Sequence, residues 1–189
     1  MTPLIPSFFF LERQNIMRLF IIGGKSGSGK GSLAQMIKDY YSEKNEITVI
    51  TEYSKYIKMY AEEIIGWNGD LATKPRTFLQ DLGEEVRTII GEDFFINRLK
   101  EDLKVYQLHC DNVVISDARL IKEFTAMSTI PNTYTIHLLS HRGNTLNEKQ
   151  KQHRTELELD NYSNFDYTLT NDTLDNLKKD IRKILEEIK

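Results

Sequence analysis

Leu19-Phe20-Ile21-Ile22-Gly23-Gly24-Lys25-Ser26-Gly27-Ser28-Gly29-Lys30-Gly31-Ser32 decides the fold. Leu19 to Ile22 is a short apolar run that reads as a buried strand, and a glycine-rich turn follows it. Beyond the turn Leu33, Met36, Ile37, Tyr40 and Tyr41 recur at helical spacing. Strand, loop and helix in this order form an anion cradle. Closely spaced glycines let consecutive backbone N–H groups converge, and the helix N-terminus adds its partial positive charge. Lys30 completes a GxxxxGK pattern and reaches the outer phosphates of a bound nucleotide. Gly24, Lys25, Ser26, Gly27, Ser28, Gly29, Lys30, Gly31 and Ser32 are therefore the expected phosphate-binding residues. The pattern departs from its usual form at Gly31, which replaces a Ser or Thr, so the hydroxyl comes one residue later at Ser32.

Outward from this loop, strands alternate with helices. Glu46 to Thr51 reads as a second strand, and Ile57, Tyr60, Ala61, Ile64 and Ile65 mark a helix ending near Gly66. A helix starting at Pro75 carries Phe78, Leu79, Leu82, Val86, Ile89 and Ile90, and another carries Phe94, Phe95, Leu99, Leu103 and Tyr106. Val113 to Ser116 is a strand, Lys122 to Met127 a short helix, and Tyr134 to Leu139 a further strand. A polar stretch from His141 to Asn164 precedes a fifth strand at Asp166 to Thr170. A final helix bears the stripe Leu174, Leu177, Ile181, Ile184, Leu185 and Ile188. The alternation predicts an α/β fold of three layers around a parallel five-stranded sheet, with ligands at the carboxyl ends of the strands.

The chain has 189 residues, 40% of them hydrophobic and 28% charged, which suits one core. We read residues 17–189 as that domain and 1–16 as a non-catalytic extension, with Met17 as the natural start. The only apolar run of the extension, Phe8 to Leu11, is too short for a membrane span or a signal-peptide core, and Pro3 and Pro6 oppose a helix. Lys and Arg number 25 against 28 Asp and Glu, so no general basic field is present to hold nucleic acid or an anionic membrane. An anionic small molecule must be captured locally. The single cysteine, Cys110, excludes an intramolecular disulfide, and a cytoplasmic setting is the expectation. Dimerisation is left open by the sequence.

Three further segments carry candidate chemistry. Val113 to Asp117 is an apolar strand ending in a carboxylate, which either stands beside a Mg²⁺ ion or caps the helix after it. At about 100° per residue, Arg76, Gln80, Gly83 and Arg87 share one narrow helical sector away from the apolar set. Two arginines suit a phosphate, Gln80 suits a base edge, and Gly83 leaves room for a ring. A solvated face whose arginines pair with Asp81, Glu84 and Glu85 is the alternative. Between His141 and Glu156, Arg142, Lys149, Lys151 and Arg154 face only Glu148 and Glu156, as expected of a lid that brings cations to phosphates and excludes water. His141 and His153 have no zinc-ligand spacing around them, and Ser54 and Lys58 fit either an acceptor site or a capped helix start.

The Gly29-Lys30-Gly31-Ser32 ending resembles adenylate kinase and its relatives. Asp117-Ala118-Arg119-Leu120-Ile121-Lys122-Glu123 resembles the D-x-R-x-x-x-E signature of the phage and bacterial deoxynucleoside monophosphate kinase-like family. Thr155-Glu156 stands where that family carries a Ser-Glu pair, and Phe165 to Asp172 resembles its closing strand. Lys74-Pro75-Arg76 through Gly83 resembles its acceptor-side helix. The resemblance implies a P-loop kinase that uses ATP and Mg²⁺ to phosphorylate a nucleoside or deoxynucleoside monophosphate. It implies catalytic roles for Lys30, Asp117, Arg119, Arg142 and Arg154, and a metal held at Ser32 and Asp117, partly through water. It also implies acceptor binding by helices over about 54–106, through Lys58, Arg76, Gln80 and Arg87 with Glu156, beneath a lid over about 141–164. Dephospho-coenzyme A kinase shares the loop and closing strand, so another small acceptor stays open, as does a nucleotide-sensing NTPase module.

Overall fold

The computed structural model describes residues 17–141 and 146–188. In chain order these form β1 (Arg18–Gly23), α1 (Lys30–Ser42), β2 (Thr48–Thr51), α2 (Lys55–Ile65), α3 (Arg76–Ile90), α4 (Phe94–Tyr106) and β3 (Asn112–Ala118). Then come α5 (Ile121–Thr125), β4 (Thr133–Leu139), α6 (Glu148–Lys151), α7 (Arg154–Leu157), a 3₁₀ turn (Glu158–Asn161), β5 (Tyr167–Thr170) and α8 (Leu174–Glu187). The strands form one parallel sheet in the order β2-β3-β1-β4-β5. This is the expected three-layer α/β arrangement, and β1 sits at its centre.

Side chains alternate across the pleat, and both faces of the sheet are covered, which is why β1 reads as an unbroken apolar run. Phe20 and Ile22 face α1 and α8, packing with Leu33, Ile37, Leu177, Ile181 and Leu185. Leu19 and Ile21 face α4 and α5, packing with Ile96, Leu99, Leu103, Phe124 and Met127. Both layers keep their apolar stripes inward. The sheet thereby holds the carboxyl ends of β1, β2 and β3 side by side, where Gly24, Glu52 and Asp117 emerge.

Several boundaries differ from the sequence reading. The β2 ladder begins at Thr48, two positions after Glu46, whose carboxylate instead accepts from Arg18 Nη1 at 2.9 Å and from Asn112 Nδ2 at 3.0 Å. β3 continues through Asp117, and Asp166 precedes β5 with its carboxylate accepting from the Thr135 amide at 2.7 Å. The polar stretch before β5 contains α6, α7 and the 3₁₀ turn.

The largest difference lies in α3. Its buried residues are Gly83 and Arg87, whereas Ile89 and Ile90 are 77% and 62% exposed. The helix therefore turns its polar sector inward. Gly83 belongs to the contact with α2, since a Cβ there would lie 3.0 Å from Ile57 Cδ1 and 3.3 Å from Arg87 Nη1. Gly83 also lines the cavity described below, between Ile57 and Arg87.

Candidate functional site

Gly24, Gly27 and Gly29 adopt φ values of 144°, 80° and 98°, conformations that side-chain-bearing residues rarely take. At Gly29 space decides as well, because a Cβ would fall 2.3 Å from Asn171 Nδ2. That amide donates to Ser28 O at 2.8 Å, so the residue after β5 holds the turn in shape. Lys30 opens α1 and is buried. Its ammonium donates to Gly24 O at 2.6 Å and Lys25 O at 2.8 Å, folding back over the loop it would share with a phosphate. Burial, followed by the nearby Arg119 charge, lowers its pKa to about 7.

A cavity of about 780 Å³ opens from this loop toward α2 and α3. Ser26, Gly27, Gly29, Lys30, Gly31 and Ser32 line one end of it, whereas Lys58, Arg76, Gln80, Arg87, Asp117, Arg119 and Glu156 line the remainder. Sequence-distant groups meet at Ser26. Its amide donates to Glu156 Oε2 at 2.9 Å, and its hydroxyl accepts from Arg76 Nη1 at 3.1 Å. Glu156 is buried, and its other carboxylate oxygen closely pairs with Arg119 Nη1. Phosphate loop, first turn of α3, β3–α5 connection and α7 thus converge on one residue.

Asp117 does more than end a strand. Its Oδ1 accepts from the Tyr53 amide at 2.7 Å, and its Oδ2 accepts from the Ser54 amide at 3.0 Å and the Ser54 hydroxyl at 2.6 Å. It clamps the turn from β2 into α2. The helix after β3 is capped by Glu123 instead, whose Oε2 accepts from the Arg119 and Leu120 amides at 2.7 and 3.0 Å. Glu123 is wholly buried, and desolvation raises its pKa to about 7. Arg87 Nη2 lies 3.8 Å from its carboxylate, with the guanidinium over the Phe95 ring at 5.2 Å. Arg87 is thus held in the floor of the cavity.

Among the described residues no group of three His, Cys, Asp or Glu side chains can hold a metal ion. Ser32 and Asp117 line the cavity and are the residues whose oxygens would hold Mg²⁺, a cation that takes oxygen ligands.

Other expectations land elsewhere. Gly24, Lys25 and Ser28 support the loop from outside the cavity wall, with Lys25 paired to Asp160 at 2.8 Å. Arg142 lies outside the described residues. Arg154 does not line the cavity, because carboxylates of the α3 region capture it: Glu92 at 2.9 Å and Glu84 at 3.5 Å, with Glu158 at 3.8 Å. Gln150 Nε2 donates to Thr77 Oγ1 at 3.0 Å, so the α6–α7 segment rests on α3.

The structure also brings in groups to which the sequence reading gave no individual role in the site. Glu52 follows β2 as Asp117 ends β3, a position that the strand-end rule could have flagged, and it closely pairs with Lys58. Lys74 lines the cavity with no side-chain hydrogen bond or ion pair among the described residues, and burial followed by the Lys58 charge lowers its pKa to about 8. Ile57, Leu71 and Leu79 supply apolar wall. Nothing in their spacing distinguished them from core.

No protein-family model matches the chain. No curated protein sequence matches it significantly. Solved structures do resemble it. Mycobacterium tuberculosis APS kinase CysC in complex with AMPPNP and APS superposes with a TM-score of 0.52 at 15% identity, covering 90% of this chain and 98% of that one. The Cys556Ala mutant of the same enzyme gives 0.50 at 12% identity over 90% and 97%. The protein APE1195 gives 0.51 at 15% identity over 92% and 97%. Sheet order, phosphate loop and these superpositions together identify the fold of this chain as the P-loop kinase fold.

Proposed function

We propose that this protein is an ATP- and Mg²⁺-dependent kinase that transfers the γ-phosphoryl group to the phosphate of a nucleoside or deoxynucleoside monophosphate. The observation that carries the reading is the convergence at Ser26, where Arg76 and Glu156 bond the phosphate loop and Glu156 also holds Arg119, all lining one cavity. Donor phosphates bind on the loop amides, with Lys30 exchanging its two carbonyl partners for phosphate oxygens. The acceptor lies against the polar face of α3. Its phosphate meets Arg76 and Arg119, and its base lies near Gln80 between the apolar walls of Ile57, Leu71 and Leu79. Lys58 and Arg87 complete this half of the cavity.

Bound Mg²⁺ supplies charge neutralisation on the transferring phosphates at Ser32 and Asp117. Arg119 spreads the charge that develops between the nucleotides, and Glu156 sets its position. An acceptor phosphate is already anionic near neutral pH, so the reaction requires no strong general base. The α6–α7 segment closes over the site, and Arg154 then exchanges Glu84 and Glu92 for phosphate.

The test is chromatographic product identification with ATP and a panel of ribo- and deoxynucleoside monophosphates. Diphosphate formation from one or a few acceptors establishes the reading and names the substrate. Formation of ADP that no monophosphate stimulates overturns it.

A further inference from the structure

The cavity is lined by a cation that has no hydrogen-bond or ion-pair partner among the described residues. Lys30 donates to backbone carbonyls, Lys58 pairs with Glu52, Arg76 bonds Ser26, Arg87 faces Glu123 and Arg119 pairs with Glu156. Lys74 shares the cavity wall with them, and its side chain makes no hydrogen bond or ion pair among the described residues. It stands just before Pro75, whose ring restricts φ, and its carbonyl accepts from the Arg76 amide at 2.8 Å. The turn is thus restrained, and the half-buried Lys74 side chain lies on the cavity wall.

The groups facing Lys74 are Lys58 of α2, Glu52 after β2, Arg119 after β3 and Arg76 of α3. The one carboxylate among them is taken by Lys58. Negative charge is therefore in deficit at this spot, beside the Ser26 junction.

We infer that Lys74 is the anchor for the acceptor's phosphate, forming with a phosphomonoester dianion the ion pair that selects phosphorylated over unphosphorylated acceptors. The inference rests on the kinase reading above. A dianion fills the charge deficit, and Lys74 meets it without giving up another bond. The lowered pKa of about 8 agrees with this crowding, and a bound dianion reverses it, so binding takes up a proton above neutrality.

The experiment uses the full chain and its Lys74→Met and Lys74→Arg variants. Lys74→Met raises the acceptor KM about 10- to 100-fold, as loss of a charged hydrogen bond does, with little change in kcat or thermal unfolding. Lys74→Arg restores most of the affinity. In the parent protein the acceptor KM rises as pH passes about 8, and Lys74→Met flattens this limb. An acceptor KM within twofold of the parent's in Lys74→Met, with the same pH profile, overturns the inference. If no monophosphate is turned over, calorimetry with inorganic phosphate in the presence of a non-hydrolysable ATP analogue decides separately. Phosphate binding lost in Lys74→Met retains the anion site while the nucleotide reading falls. Equal binding in both proteins, or none in either, removes Lys74 from the site.

Discussion

Glu156 and Ser26 stand 130 residues apart in sequence, and the carboxylate of one accepts the backbone amide of the other at 2.9 Å. The same carboxylate holds Arg119. Glu156→Ala leaves that guanidinium without its positioning anion, so kcat is expected to fall about 10- to 100-fold while the ATP KM changes little. Steady-state kinetics check this. Tighter nucleotide binding with undiminished kcat would instead show that the carboxylate merely competes for the loop amide.

Lys30→Ala is expected to lower transfer about 100- to 1,000-fold, as removal of a donor aimed at developing charge does. The fold should survive, because the buried ammonium is not a net source of stability near pH 7. The folded-state pKa of about 7 lies below a lysine's ordinary 10.5, so between these values the unfolded chain binds more protons and stability rises with pH. Urea unfolding from pH 7 to 9.5 should show that rise in the parent and a shallower one in the variant.

Glu123 acts with the opposite sign. Its pKa of about 7 lies above a glutamate's ordinary 4.5, so the folded chain binds more protons in this window and stability falls as pH climbs through it. Glu123→Gln keeps an oxygen for the Arg119 and Leu120 amides and removes the titration. The variant's urea midpoint should decline less between pH 5 and 7.5 than the parent's. Parallel declines would remove Glu123 as the source.

Asp117→Ala removes the acceptor for the Tyr53 and Ser54 amides and the Ser54 hydroxyl. A loss of about 3 kcal/mol in unfolding free energy is expected, together with weaker acceptor binding as the β2–α2 turn loosens. A residue serving Mg²⁺ alone would change the metal requirement and leave the urea midpoint where it was.

Gly29→Ala places a Cβ 2.3 Å from Asn171 Nδ2 on backbone at φ 98°. ATP affinity is expected to fall at least tenfold, with a loss of stability of about 1–3 kcal/mol, the scale of local backbone strain. Gly31→Ala is the control for the loss of stability, since no neighbour lies within 4 Å of its position. Equal effects would refute the steric account.

The phosphate loop was legible because its glycines report backbone geometry directly, and the strand and helix around it follow from local periodicity. What α3 does with its polar face was harder to read. Amphipathicity states that two faces differ; here Arg76 and Arg87 turn inward because the cavity receives them, and Ile89 and Ile90 are left outside. Arg154 was legible as a cation in a basic segment, but its capture depends on Glu84 and Glu92, which only the folded chain places opposite it. The partners of Asp117 at Tyr53 and Ser54 come more than sixty residues earlier. Such pairings follow from sheet order, which local pattern does not encode.

The hydrogen bond from Asn171 to Ser28 spans 143 residues. During synthesis the glycine-rich turn leaves the ribosome well before the side chain that braces it. A nascent or truncated chain ending before β5 therefore has the whole loop sequence without its brace. The turn is thus expected to take up its final shape only once β5 and the residue after it have been made.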